Sequence, residues 1–495
     1  MSLAAVLVVM VAAVLIGAFG IRVSRTTSDF YVASRTVSPL WNASAIGGEY
    51  LSAASFLGVA GLILSYGVDM LWLPVGWTGG YLVLLVLVSA PLRRSGAYTL
   101  PDFAEARLES MTVRRTASVL VVLIGWLYLM PQFQSAGLVL RSITGAPVWA
   151  GGLLVAVVVA VNVLSGGMRS ITFVQAFQYW LKLTALAVPL VFLLMAWRDD
   201  GAPPVTGEDA GAWLVPLGGG KEYALYSTYS LILATFLGTM GLPHVLVRFY
   251  TNPDGRAARR TTLVVLSLLG AFYLLPALYG WLGRVYAPDL VRTDEVVLAL
   301  PQRMIGGTLG DLLTALATAG AFAAFLSTSS GLTVSVAGVI AQDLLKGGVR
   351  SFRIATLMAV VVPLGLALWA RALPVADVVG LAFAVAASSF CPLLVLGIWW
   401  RRLTTTGALA GLFVGGGLAC GAVLATVIGG PYEGPAGALL AQPAAWTVPI
   451  AFTVMVAVSF LTPDRVPPGV ARTMVRLHAP EDLDVDRGDW RPRSS

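Results

Sequence analysis

The chain has 495 residues, 57% of them hydrophobic and 12% charged, with a mean hydropathy of +0.83 sustained along its length. That composition excludes a soluble globular protein and describes a polytopic membrane protein in a lipid bilayer. The formal charge of +7 does not indicate nucleic-acid binding, because the arginines fall in short segments between apolar runs, and the two cysteines, Cys391 and Cys420, lie inside such runs and exclude a disulfide framework or cysteine metal cluster.

Thirteen apolar runs of spanning length start near Leu3, Pro39, Val68, Thr116, Val148, Ile171, Tyr223, Thr261, Thr308, Ile354, Leu373, Thr406 and Ala444. The first has no basic flank before it and Arg22, Arg25 and Arg35 after it, so it reads as a retained span with its N-terminus outside rather than a signal peptide. With that orientation the cytoplasmic segments and C-terminal tail hold 24 of the 32 Lys and Arg, the outer segments 7, and Lys182 lies within a span. The asymmetry predicts a multi-pass protein of the cytoplasmic membrane with its C-terminus inside.

The second run, from Asn42 to Ile63, is interrupted by Gly47, Gly48 and Glu49. A charge at membrane depth costs about 2.5 kcal/mol or more on insertion scales, and two glycines beside it make the helix easy to break. Unwound backbone is tolerated there only where it is buried in protein or lines a cavity, and transporters use such carbonyls to hold ions and substrate. Glu49 is therefore a proton or cation partner or a gate, or else a structural carboxylate paired with an arginine. Tyr50, Ser52 and Ser55 add polar groups beside it. Between the third and fourth runs, residues 93–115 predict a short amphipathic helix begun at Pro101-Asp102, with Asp102, Glu105 and Arg107 on a solvated face. Gln132 and Gln134 fall next to the proline kink at Pro131.

The seventh run carries Gly238, Thr239, Gly241 and Pro243, a second interruption, followed by His244 and Arg248. His244 can shuttle a proton, touch an anion or serve as a gate or cap. The ninth holds four consecutive hydroxyls, Ser327 to Ser330. Adjacent hydroxyls with carbonyls form a neutral oxygen cage for a hard cation such as Na⁺, and small residues of this kind also pack helices together. After Pro463 the chain is polar, charged and Pro-bearing, and is expected to lack regular structure.

Setting aside the first run and the last two leaves two groups of five. Because five is odd, the second group runs opposite to the first, and each opens with an interrupted span, which is the pattern of an inverted repeat. The expected divisions are an extra span and loop at 1–38, a first repeat at 39–197, an extracytoplasmic loop at 198–222, a second repeat at 223–400, two further spans at 401–462 and a cytoplasmic tail at 463–495. No cluster of acid, base or metal ligands suggests an enzyme, and the tail is too short for a soluble output module.

Several stretches, in order, resemble the sodium:solute symporter family: PLRRSGAYTLPDFAEARL, GGMRSITFVQAFQYWLK at 166–182, and AFLSTSSGLTVSVAGVIAQDLLK. The resemblance implies an all-α, LeuT-type 5+5 inverted repeat with broken first and sixth core helices, transport without covalent chemistry, Na⁺ as coupling ion and no other cofactor. The family's sodium-site serine-threonine pair corresponds to Ser327 and Thr328, and its carbonyl ligands to Gly48, Leu51 and Ala324. GGEYLSAASFLGVAG and GLPHVLVRFYTNPDGRAARR are most similar to the cation/acetate permease branch, which has Asp where this chain has Glu49. The aspartate of proline symporters corresponds to Tyr50, and sugar-symporter polar positions to Ala54 and Ser55. The resemblance thus implies symport of Na⁺, or H⁺, with a small monocarboxylate such as acetate, propionate or pyruvate. A symporter of an amino acid, sugar or vitamin is the alternative. The expected substrate and coupling residues are Glu49, Tyr50, Ser52, Ser55, Gly238, Thr239, Gly241 and His244.

Overall fold

A computed structural model describes residues 1–21, 37–207, 210–217, 223–345, 347–369, 375–429 and 432–480. Arg22, Arg25 and Arg35, part of the loop at 198–222 and the end of the tail from residue 481 lie outside the described residues. Every regular element described is helical, and eleven helical stretches are long and apolar enough to cross a membrane. One of them, Ala54–Ser95, reverses at Gly67, whose φ of 79° suits a residue without Cβ. Similarly, the continuous Val148–Asp199 stretch is divided by Gly167, at φ 56° and ψ −148°, into Val148–Ser165 and Gly167–Asp199.

Two sets of five helices form the core. The first opens with Pro39–Tyr50, which unwinds and resumes at residue 54 to end at Tyr66. The second opens with Ala224–Gly241, which unwinds at Leu242 and resumes as Pro243–Val247. In the second case the cause is local: Pro243 has no N–H for the preceding turn and fits the first position of a new helix. The broken helices meet through Asn42, whose amide donates to the Arg248 carbonyl at 3.2 Å and whose carbonyl accepts from Thr251 at 3.2 Å. Gly167–Asp199 and the helix Gly307–Val339 pack along each other and enclose the first broken helix.

The first break lies three residues beyond the glycines expected to cause it. Gly47 and Gly48 remain helical and allow close approach instead: a Cβ on Gly47 would fall 2.8 Å from the Tyr179 ring, and one on Gly48 would collide with the Gln175 carbonyl. The chain unwinds at Leu51, whose ψ is 83°.

Helix Leu100–Leu108 forms as expected, closed by a reciprocal capping box between Thr99 and Asp102. Its charged face is only partly solvated, however, because its side chains are engaged by the protein. Asp102 and Glu105 both bind Arg114, and buried Arg107 donates to the carbonyls of Gly397 at 2.7 Å and Trp400 at 3.0 Å, satisfying the end of the span Val375–Trp399. Nor is the segment after Pro463 without structure. Val470–His478 is a helix that buries Met474 and Leu477, while Arg476 donates to the Arg94 carbonyl and Arg94 to that of His478.

At the opposite end from these contacts, the turn Thr293–Glu295 lies against Gly61, with Asp294 N 2.8 Å from where a Cβ would stand. Burial, with the charge of Asp377 adding to it, raises the Asp294 carboxyl from 3.8 to about 6. A carboxyl raised on folding binds its proton more tightly in the native state, so its contribution to stability falls as pH rises through the window between 3.8 and about 6. Melting of purified protein at pH 5 and pH 7.5 should therefore show a smaller pH-dependent loss for Asp294→Asn than for wild type. Equal losses would remove Asp294 as the source.

Candidate functional site

The site follows from an accounting of backbone groups at the first break. In a continuous helix the carbonyls of Gly48 and Glu49 would accept from Ser52 and Ala53. Here Ser52 N turns back to the Tyr50 carbonyl at 2.9 Å, Ala53 N donates to Gln132 Oε1 at 3.2 Å, and Ala54 N donates to Ser52 Oγ at 3.2 Å. The released carbonyls find partners on other helices. Thr328 Oγ1 donates to the Glu49 carbonyl at 2.6 Å. Lys182 Nζ donates to the Gly48 carbonyl at 2.5 Å, the Leu51 carbonyl at 2.7 Å and Ser327 Oγ at 3.0 Å. Ser327 directs its own proton to the Ala324 carbonyl at 3.2 Å. All five positions that the resemblance assigns to sodium thus converge, and an ammonium group binds three of them.

Directly beside this lies a buried ion pair. Arg248 Nε donates to Glu49 Oε2 at 2.8 Å, its other nitrogens bind Thr172 Oγ1 at 2.8 Å and Gln175 Oε1, and Gln175 Nε2 donates to the Ser327 carbonyl at 2.7 Å. Thr172, Gln175, Tyr179 and Lys182 recur at spacings of three, four and three, so one helix face serves the whole network. Both charges of the pair and the lysine are buried and each is hydrogen-bonded, with Glu49 Oε1 alone of the carboxylate oxygens left without a partner.

On the other side of the break is an aromatic cluster. Tyr50 lies edge-on to Tyr81 at 4.8 Å and to Phe383 at 6.2 Å, and Trp77 lies against Tyr273 at 5.7 Å and Phe383 at 5.8 Å. Tyr50 OH bonds Thr239 Oγ1 at 2.6 Å, and Ser55 Oγ bonds Tyr273 OH at 3.0 Å. Three buried donors, Trp77 Nε1, Tyr81 OH and Gln132 Nε2, have no partner. His244, packed edge-on to Tyr128 at 5.3 Å, makes no hydrogen bond.

Of the residues expected from sequence, Glu49, Tyr50, Ser52, Ser55 and Thr239 gather around the break. At Gly238 and Gly241 a Cβ would collide with the carbonyl of Phe383 or Ala386, so these glycines let the second broken helix lie close on Val375–Trp399. Ser52 closes the turn with its hydroxyl. Sequence reasoning missed Lys182, Gln175, Trp77 and Tyr81. For Lys182 the signal was present, since a lysine within a span incurs the same order of cost that singled out Glu49.

This arrangement of broken helices is a transporter fold, and comparison with solved structures agrees. The chain is similar to a Na⁺-coupled sialic acid symporter in its substrate-bound outward-open state, with a TM-score of 0.72 and 15% identity over 94% of this chain and 97% of that one. It is also similar to MHP1, a nucleobase-cation-symport-1 family transporter in a closed conformation, with a TM-score of 0.60 and 14% identity over 91% and 99%. Among sequences, it is 33% identical to the uncharacterized symporter YwcA of Bacillus subtilis (strain 168) over 416 residues, 80% of each chain. It is 32% identical to a monocarboxylic acid transporter of Corynebacterium glutamicum over 441 residues, 80% of this chain and 78% of that one. The sodium:solute symporter family profile matches residues 30–415. The chain belongs to the sodium:solute symporter family.

The Glu49–Arg248 pair gives a test of the network. Arg248→Ala leaves a buried carboxylate without its cation and should destabilise the protein by about 3–5 kcal/mol, whereas Glu49→Gln combined with Arg248→Gln should lose clearly less. Melting in detergent of the singles and the double checks this. Simple additivity would show that the two side chains do not act as a pair.

Proposed function

We infer that the protein is a secondary active symporter of the cytoplasmic membrane, N-terminus outside and C-terminus inside, that couples cation entry to the uptake of a small monocarboxylate such as acetate, propionate or pyruvate. Family membership implies sodium as the coupling ion, and H⁺ is the other candidate. No covalent chemistry is involved.

The observation that carries the substrate class is the set of unpartnered donors. Trp77 Nε1, Tyr81 OH and Gln132 Nε2 are N–H or O–H groups buried beside the break, and the aromatic residues around them bring no carboxylate. Unpaired buried donors are costly unless a ligand acceptor returns the hydrogen bond. A carboxylate has two acceptor oxygens, and its short alkyl remainder suits aromatic walls. A sugar would need several donors and acceptors together, and an amino acid an acid for its ammonium. The relative that transports monocarboxylic acids supports the same reading. Because these groups are buried, entry and exit require one set of helices to rock against the other, as in alternating access.

Two results are expected in proteoliposomes. Uptake of labelled acetate should be inhibited by unlabelled propionate or pyruvate and hardly by proline or glucose. Inhibition by proline without inhibition by propionate or pyruvate would overturn the substrate class. Trp77→Phe and Tyr81→Phe, each deleting one donor, should raise KM roughly tenfold with normal insertion. An unchanged KM in both would remove these donors from the site.

A further inference from the structure

We propose that the Lys182 ammonium is a tethered cation that takes the seat of a bound sodium ion between the first broken helix and Gly307–Val339, so that this chain transports without binding Na⁺ there. The inference rests on the symporter reading and specifies its ion site.

An ammonium has three N–H donors and no acceptor, and Lys182 Nζ meets three oxygens at 2.5, 2.7 and 3.0 Å. Two are carbonyls, which can only accept. The third, Ser327 Oγ, has its proton directed at Ala324, so it presents a lone pair to the nitrogen. Every donor is used, and each acceptor is of the kind a charged amine needs. The remaining oxygens of the expected cage are also engaged: the Thr328 hydroxyl donates to the Glu49 carbonyl, and the Ala324 carbonyl accepts from Ser327. A hard cation takes about six oxygen ligands, and here the shared ones already hold a positive charge.

Charge balance leads to the same conclusion. With all three side chains ionised, the buried network holds one carboxylate, Glu49, and two cations, Arg248 and Lys182, a surplus of one positive charge. A sodium ion on the same oxygens would raise the surplus to two in a medium that screens poorly. A monocarboxylate would reduce it to zero. The lysine thus does for the break what a sodium ion would do, holding the Gly48 and Leu51 carbonyls, and its charge attracts an anionic substrate.

The test uses the full-length protein in detergent and needs no substrate. Melting is measured in NaCl against choline chloride at equal ionic strength, with ²²Na⁺ binding in parallel. Wild type should show no Na⁺-specific shift or binding that Ser327→Ala removes. Lys182→Ala vacates the seat while keeping its oxygens, and should gain ²²Na⁺ binding and a Na⁺-specific rise of a few degrees. Both should disappear in Lys182→Ala combined with Ser327→Ala. If wild type is stabilised by Na⁺ and Ser327→Ala abolishes the effect, or if folded Lys182→Ala is indifferent to Na⁺, the proposal is overturned. The wild-type measurement decides even if the lysine variant fails to fold. Since no carboxylate enters the experiment, its outcome is separate from that of the competition assay.

Discussion

Unwound backbone inside a bilayer has no water to turn to, and the fold is arranged around that constraint at Leu51 and Ser52. Each group freed there has an identified partner: Lys182 holds two carbonyls, Thr328 a third, and Gln132 an N–H. The partners come from three different helices, so the break is stable only when those helices are assembled around it. This also gives a physical meaning to the extensive packing between Gly167–Asp199 and Gly307–Val339. The two helices bring Lys182 and Thr328 onto the carbonyls of the same break, with Ser327 bonded to the lysine.

The charges follow from the same arrangement. Glu49 meets Arg248 just past the end of the second broken helix and packs its carboxyl against Gly331, so the carboxylate that the sequence places at membrane depth acts in a pair. A buried pair is weak evidence of net stability, but it fixes register, and here it joins the end of the second broken helix to the middle of the first. Rocking one set of helices against the other must either preserve this contact or exchange it for another. The polar side of the break is thus closed by charge and the other side by aromatic rings. On the proposed function, a small anion would be received on the aromatic side and felt electrostatically by the charged one.

Much of this was legible from sequence, because membrane spans have so few ways to satisfy their backbone. Charge asymmetry, the odd grouping of five and the glycine interruptions lead to an inverted repeat with broken first and sixth helices. The convergence of Gly48, Leu51 and Ser327 followed from family resemblance. What was not legible depended on packing between distant segments. Gly47 and Gly48 looked like breakers because small residues serve both flexibility and close approach, and only the neighbouring Tyr179 and Gln175 distinguish the two uses. The charged face of Leu100–Leu108 looked solvated because the carbonyls that Arg107 caps lie nearly three hundred residues away. Helix Val470–His478 looked unstructured because its composition is polar, while its alternation of Met474 and Leu477 with arginines needs a partner surface to become a helix.

The central claim is that a lysine side chain from the fifth core helix completes the coordination of the broken first one. A density map at a resolution that separates side chains from ions, from protein prepared in high NaCl, tests it most directly. The account predicts continuous density from Lys182 to a nitrogen that meets the Gly48 and Leu51 carbonyls and Ser327 Oγ. A Lys182 side chain turned away, with an isolated peak between those oxygens at about 2.3–2.6 Å from each, would contradict it.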